Sequence, residues 1–219
     1  MKKLVFILTM LTMVVACTKD PYETGDSQLS YMRADMVDMK VEGKMVKSII
    51  TDDDVSLSFA STLHVSDEMA RPDTTYRALL YYNKVDDKPV EIITSQLVKV
   101  FNPFDSHTLS TDKTDPVILS SIWQAANGKY LNLSIGLKTG NTEGDSKQQV
   151  DVCLDSMTVA DDGTRHCYLS LRHAQNDIPQ FYTQTRYLSI DLGSCSEGNV
   201  LHVRASTYNG IVERTFVKR

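Results

Sequence analysis

Leu131-Asn132-Leu133-Ser134-Ile135-Gly136-Leu137 is the most regular stretch of the 219-residue chain. Large apolar side chains fall on every second residue, with small or polar ones between them. That is the period of a β-strand with one face on a core, because successive side chains leave a strand on opposite sides. The same alternation recurs downstream at Val150, Val152 and Leu154, on the return through Leu169 and Leu171, and again at Leu188, Ile190 and Leu192. Upstream, Val55, Leu57 and Phe59 point one way and Ser56 and Ser58 the other. Residues 75–85 and 90–101 make two further β-rich segments joined across Asp86-Asp87. No long amphipathic helical pattern interrupts them. Many short strands with turn signals between them predict an all-β chain, built as a sandwich or barrel.

Two turns set registers that the structure can check. Asp162-Gly163 reads as a two-residue hairpin turn. Asp161 then faces Thr164, Cys153 faces Arg172 and Cys167 faces Thr158. Cys153 and Cys167 leave the hairpin on opposite faces, so they are expected not to bond to each other. Asn209-Gly210 is a type I′ signal near the end of the chain. It places Val203 opposite Phe216 and Thr207 opposite Val212.

The first residues decide where the chain lives. Lys2 and Lys3 precede an apolar run from Leu4 to Val15, broken only by Thr9 and Thr12, and Val14-Val15-Ala16-Cys17 closes it. This is the pattern of a secretory signal peptide, too short to cross a bilayer comfortably as a helix. The stretch resembles the lipobox of bacterial lipoproteins. The resemblance implies cleavage before Cys17, acylation of that residue with chains such as palmitate, and a protein tethered to the membrane. Two or three acyl chains hold durably where one does not. Residues 1–16 are thus expected to be a signal peptide and 17–30 a lipidated tether, with Pro21, Gly25 and no hydrophobic period. The expected location is the cell envelope, at the outer membrane.

About 200 residues remain, enough for two small domains. Residues 102–116 carry two prolines, three aspartates and no period, which suits a boundary. The expected domains are 31–104 and 115–219. The whole chain has 23 basic and 28 acidic residues, and loss of Lys2 and Lys3 with the signal peptide leaves a formal charge of −7. An acidic surface argues against nucleic acid as a partner, which calls for a basic stripe over the phosphates. With Cys17 acylated, Cys153, Cys167 and Cys195 remain. That is an odd number outside the cytoplasm, and Cys195, in a Gly-flanked loop, is the cysteine expected to be mobile enough to pair.

Several polar groups are candidates for a site. Asp52-Asp53-Asp54 can bind a hard cation or simply lie solvated in a turn, and it lacks the spacing of a calcium loop. Tyr76, Tyr81 and Tyr82 can form a stacking platform or pack in strands. Trp123 can stack on a sugar or lie in the core. Arg172-His173 can clamp a carboxylate and titrate near neutrality, or can hydrogen-bond the loop at 174–179. His166-Cys167 with Cys153 would need ligands from opposite faces, so no metal and no cofactor is expected. Asp73-Thr74-Thr75 and Asp155-Ser156-Met157 resemble the O-glycosylation sequence of Bacteroidetes, with Thr74 and Ser156 as acceptors. No catalytic triad elbow, phosphate loop or paired carboxylates stand in a recognisable context.

A family resemblance covers most of residues 115–217. Asp115-Pro116-Val117 leading to Ile122-Trp123, then Gly128-Lys129-Tyr130-Leu131-Asn132-Leu133, resembles the opening of the C-terminal domain in NigD-like proteins. Leu169-Ser170-Leu171-Arg172-His173, then Pro179 with Phe181-Tyr182, then Leu188-Ser189-Ile190-Asp191-Leu192, and finally Thr207-Tyr208-Asn209-Gly210, continue the pattern in order. The resemblance implies an N-terminal OB-like domain followed by a β-sandwich, on a Bacteroidetes lipoprotein. It implies no established activity, although an immunity role has been proposed for the family's bacteriocin operon. The expected function is a non-catalytic binding or assembly module with an unknown protein or glycan ligand; the alternative is an envelope enzyme or a glycan-binding accessory protein.

Overall fold

The computed structural model describes residues 31–61, 63, 74–85, 88–105, 109–141 and 145–219. The expected signal peptide and tether, with Cys17, lie outside the described residues, as do Asp86-Asp87 and residues 64–73. Twelve strands follow one another: β1 Met32–Glu42, β2 Met45–Thr51, β3 Thr74–Asn83, β4 Glu91–Leu97, β5 Lys99–Phe101, β6 Ile118–Gln124, β7 Tyr130–Thr139, β8 Gln149–Val159, β9 Arg165–Ala174, β10 Tyr182–Asp191, β11 Val200–Thr207 and β12 Gly210–Val217. Among the described residues, no helix is long and apolar enough to cross a membrane.

The first four strands form an antiparallel sheet in the order β2-β1-β3-β4. One face of it carries Val37, Met39, Val41, Ile49, Ala78, Leu80 and Tyr82 into a core closed by Leu57 and Val90. The expected strand at Val55, Leu57 and Phe59 does not form. Only single bridges, Ile50 to Ser56 and Phe59 to Val90, tie this segment to the sheet, and Val55 is exposed. Leu57 still reaches the core, so the apolar period reports a buried side chain here without reporting a strand.

The remaining strands make two sheets packed face to face, β5-β10-β7-β6 and β12-β11-β9-β8. The stretch Leu131–Leu137 lies in β7, and its odd residues Leu131, Leu133, Ile135 and Leu137 line the shared core. They meet Leu188 and Ile190 of β10, Val152 of β8, Cys167, Leu169 and Leu171 of β9, and Leu201, Val203 and Ala205 of β11. Strands β9 and β11 are parallel neighbours because the chain crosses to the other sheet for β10 between them. The architecture is thus all-β, an OB-like sheet that stays open among the described residues, followed by a β-sandwich. Lys99–Phe101, within the span 31–104, already pairs with β10 in the sandwich.

Both predicted registers shift. Ala160 N–H donates to Thr164 and Gly163 N–H to Ala160, so the β8–β9 turn holds three residues, not two. Met157 consequently faces Cys167. A bulge at Asp155 adds a second slip, and below it Cys153 faces Ser170 and Val152 faces Leu171. Two slips of one residue restore the predicted parity below the bulge. Cys167 faces the core, whereas Cys153 shares the outer face with Ser170, and the two are not bonded. In the last hairpin the turn residues are Tyr208-Asn209. Thr207 pairs with Gly210 and Leu201 with Phe216, two residues from the expected register, again with the faces preserved.

Candidate functional site

The outer face of sheet β5-β10-β7-β6 does not meet water at its centre; the N-terminal sheet covers it. At that centre the polar residues of β7 and β10 are buried as deeply as the apolar ones: Asn132 and Ser189 are 0% exposed. What they receive is the side chain of Arg77, from the middle of β3, itself 2% exposed. Arg77 donates from Nη2 to Asp52 Oδ2 (2.8 Å) and Asn132 Oδ1 (3.1 Å), from Nη1 to Asp38 Oδ1 (3.2 Å) and from Nε to Ser189 Oγ (3.3 Å). Its guanidinium lies 4.0 Å over the ring of Tyr130. Asn132 Nδ2 donates to Asp52 (2.8 Å) and Ser189 Oγ to Asn132 (2.8 Å), closing the network.

One buried cation thus holds a carboxylate of its own sheet, a second from the turn after β2, and two polar groups from the other sheet. Burial pushes the Asp52 carboxyl above its ordinary range against the pull of Arg77. Burial likewise pushes the Tyr130 hydroxyl up to about 12, with the Asp38 charge acting in the same direction. The reading of all three turn aspartates as solvated is therefore corrected for Asp52. Asp53 and Asp54 are exposed, and Asp54 accepts from Asn127 Nδ2 (3.0 Å) across the same junction. Beside the polar network, Met36, Leu79 and Val98 pack with Tyr81, Trp123 and Tyr187.

A cavity opens at each edge of this junction. At the β4 and β5 edge lies a groove of about 580 Å³, walled by Gln96 and Leu97, Lys99, residues 146–150 and the β10 side chains Gln184 and Arg186. Its charged lining residues, Lys99, Lys147 and Arg186, are all cationic, in a chain of net charge −5. Lys99 Nζ donates to the Val150 carbonyl (3.1 Å) and Arg186 to Gln184 Oε1 (2.8 Å), which fixes two of the cations on the wall. The opposite edge holds a cavity of about 350 Å³ lined by Trp123, Asp35, Asp52 and Asp53. Tyr82, fully buried, donates to Asp35 there (2.5 Å). The cationic groove is the better ligand site: cations and amides can donate several hydrogen bonds to an anionic or amide-bearing partner.

The residues singled out from sequence end in different places. Arg172 and His173 do not form one site, because neighbours on a strand face opposite ways. Arg172 donates to Asp155 on the outer face (2.7 Å). His173 is 1% exposed, bonds through Nδ1 to the Asp115 carbonyl (3.2 Å) and exchanges backbone bonds with Lys113 and Asp115. Its structural partner is thus segment 113–115, and not the loop at 174–179. Tyr82 is core, Tyr76 packs at the core's edge, and Tyr81 and Trp123 belong to the junction. Thr74 opens β3 half-buried, and Ser156 is exposed on β8. Sequence reasoning weighed His166 only beside the cysteines and missed its pairing with His202, whose ring nitrogen lies 3.0 Å from that of His166 across the parallel β9–β11 pair. Among the described residues, no group of three or more His, Cys, Asp or Glu is arranged to hold a metal ion.

The sequence matches no family model and no curated protein. Solved structures do share its fold. A NigD-like immunity protein from Bacteroides caccae superposes with a TM-score of 0.60 at 19% identity, covering 85% of this chain and 97% of that one. A protein of unknown function from Bacteroides vulgatus gives 0.57 at 17% identity, covering 84% and 90%. A Bacteroides fragilis protein provisionally described as a lipoprotein gives 0.58 at 12% identity, covering 86% and 98%. At these identities the likeness is one of fold, and it extends over nearly the whole of each relative.

Proposed function

We propose that this chain is a lipid-anchored cell-envelope protein, held through Cys17, that acts as a non-catalytic binding or assembly module and takes its partner in the cationic groove. The groove carries the reading. Three cations and the four glutamines Gln96, Gln148, Gln149 and Gln184 line it, and its described lining holds no carboxylate, imidazole or thiol. Its hydroxyls are those of Ser110, Ser146, Thr139 and Tyr187, and the carboxylate nearest to them, Asp151, is engaged by the Ser110 N–H (2.6 Å). A bacteriocin-immunity role is the narrower form of this reading, supported by the fold shared with an immunity protein.

Lys99 and Arg186 are exposed, so Lys99→Glu/Arg186→Glu should reverse the wall's charge without unfolding it. The wild-type protein should retain a partner from solubilised envelopes that the variant loses. Equal recovery by both proteins overturns the groove assignment, and turnover of a cell-wall or glycan substrate by the wild type overturns the non-catalytic one. The anchor has its own test. Cys17→Ser should move the protein to the soluble fraction or leave an uncut precursor; normal membrane retention of this variant removes the lipoprotein reading.

A further inference from the structure

Cys167, on a sheet of the sandwich, and Cys195, in a connection between its two sheets, are both buried in the sandwich core. Cys167 sits on the inner face of β9, paired with Leu201, and is 0% exposed. Cys195 lies in the connection from β10 to β11 and is 7% exposed. Both belong to the same cluster of buried residues, and each thiol lies within interaction range of the other. The loop around Cys195 is fixed, contrary to the mobility its glycines suggest. Cys195 N–H donates to the Leu192 carbonyl (2.9 Å), Gly198 N–H to Lys218 (2.9 Å), and Lys218 N–H back to Asn199 (2.8 Å). Cys153, the remaining described cysteine, lies on the outer face of the hairpin.

From this juxtaposition we infer that Cys167 and Cys195 are a disulfide-forming pair that ties the β10–β11 connection to β9 when a disulfide-donating oxidant is present. That they are oxidised in the cell rests on the envelope location proposed above, since such bonds persist outside the cytoplasm. Two neighbouring buried thiols need only draw their sulfurs to about 2 Å. The reaction is dithiol–disulfide exchange. One cysteine, as thiolate, attacks a sulfur of the oxidant's disulfide and expels one of its thiols, forming a mixed disulfide. The second cysteine attacks the first, forms the Cys167–Cys195 bond and releases the other thiol. The chain loses two electrons and two protons, and the oxidant's disulfide takes both up as two thiols. Burial holds the Cys195 thiol up at about 12 and raises Cys167 too, so neither is readily a thiolate in the finished fold. The exchange therefore belongs to folding, before the core closes.

Two measurements test the pair. First, reduced, unfolded protein is refolded with oxidised and reduced glutathione, alkylated in denaturant and peptide-mapped. A linked Cys167–Cys195 peptide with Cys153 alkylated supports the inference, and Cys153→Ser should form the same link. Alkylation of both Cys167 and Cys195 overturns it, as does a link through Cys153. Second, protein taken from envelopes without reductant is mapped in the same way. The link there supports oxidation in the cell. Its absence there, with the link formed on refolding, upholds the pair and counts against the envelope location.

Discussion

Arg77 interrupts Tyr76-Arg77-Ala78-Leu79-Leu80, an otherwise apolar run in the middle of a strand. A charged residue there is almost never fully buried without partners. The partners could not be named from the sequence, because Asp38, Asp52, Asn132 and Ser189 come from four separate segments. His173 poses the same difficulty in neutral form. It looked like a titrating site residue, yet burial depresses its pKa below the ordinary 6.5, with the Asp115 carbonyl and charge acting weakly the other way. The sign for stability follows. A buried imidazole that stays neutral in the fold takes up a proton only on unfolding, so its contribution is full above about pH 6.5 and is lost as pH falls through the depressed value. Urea midpoints of the wild type should therefore decline from pH 6.5 toward pH 5, and His173→Asn should remove much of that decline. The variant should also lie lower at pH 7.5, by on the order of 1–3 kcal/mol, through loss of packing and of the bond to Asp115. An unchanged decline in His173→Asn would show that other groups set it.

At the level of the element, period was informative and register was not. Side-chain alternation placed Leu131, Leu169, Leu171, Leu188 and Ile190 in the core correctly, because burial of one face is what the period encodes. Turn length is encoded in backbone conformation, and Asp161-Asp162-Gly163 and Tyr208-Asn209 each differ by one position from the turns their Asp-Gly and Asn-Gly pairs suggest. The bulge at Asp155 leaves no apolar mark at all. It is held by its own polar bonds, with Asp155 accepting from Ser170 Oγ (2.9 Å) and from Arg172 (2.7 Å). In the three-residue turn Gly163 has φ of +84°, and a Cβ built there meets nothing within 4 Å. Substitution at Gly163 should therefore cost backbone strain alone. Gly163→Ala is expected to destabilise by about 1 kcal/mol and Gly163→Asn by less, since Asn tolerates the left-handed region. Denaturant midpoints of the two variants check the order. A larger loss for Asn than for Ala would contradict the turn geometry.

For the whole molecule, the decisive fact is that β3 and β7 are each buried on both faces, and this was hidden by polarity. Asn132, Ser134 and Ser189 are the residue types expected on a solvated face, and a period of two says which residues share a face but not what covers it. The groove was equally unreadable, since its wall is assembled from residues 96–99, 146–150 and 184–187. The covering makes a claim about cooperativity that can be measured. Trp123 is the sole tryptophan and belongs to the junction cluster, so its fluorescence reports the contact between the two sheets, whereas far-UV circular dichroism reports all the strands. In the wild type the two signals should fall together in urea, as one transition. Arg77→Met removes the cation but leaves Asp38 and Asp52 in place, and breaking a buried ion pair from one side costs about 3–5 kcal/mol. The core of the sandwich does not include Arg77 or its carboxylates, so that loss should fall on the junction first. Fluorescence in Arg77→Met is then expected to change at lower urea than circular dichroism. Asp52→Asn added to Arg77→Met should recover part of the loss, because it removes one of the stranded charges. Coincident transitions in Arg77→Met, with stability within about 1 kcal/mol of the wild type, would mean that the apolar cluster around Trp123 suffices to hold the sheets together and that the buried guanidinium is not what couples them.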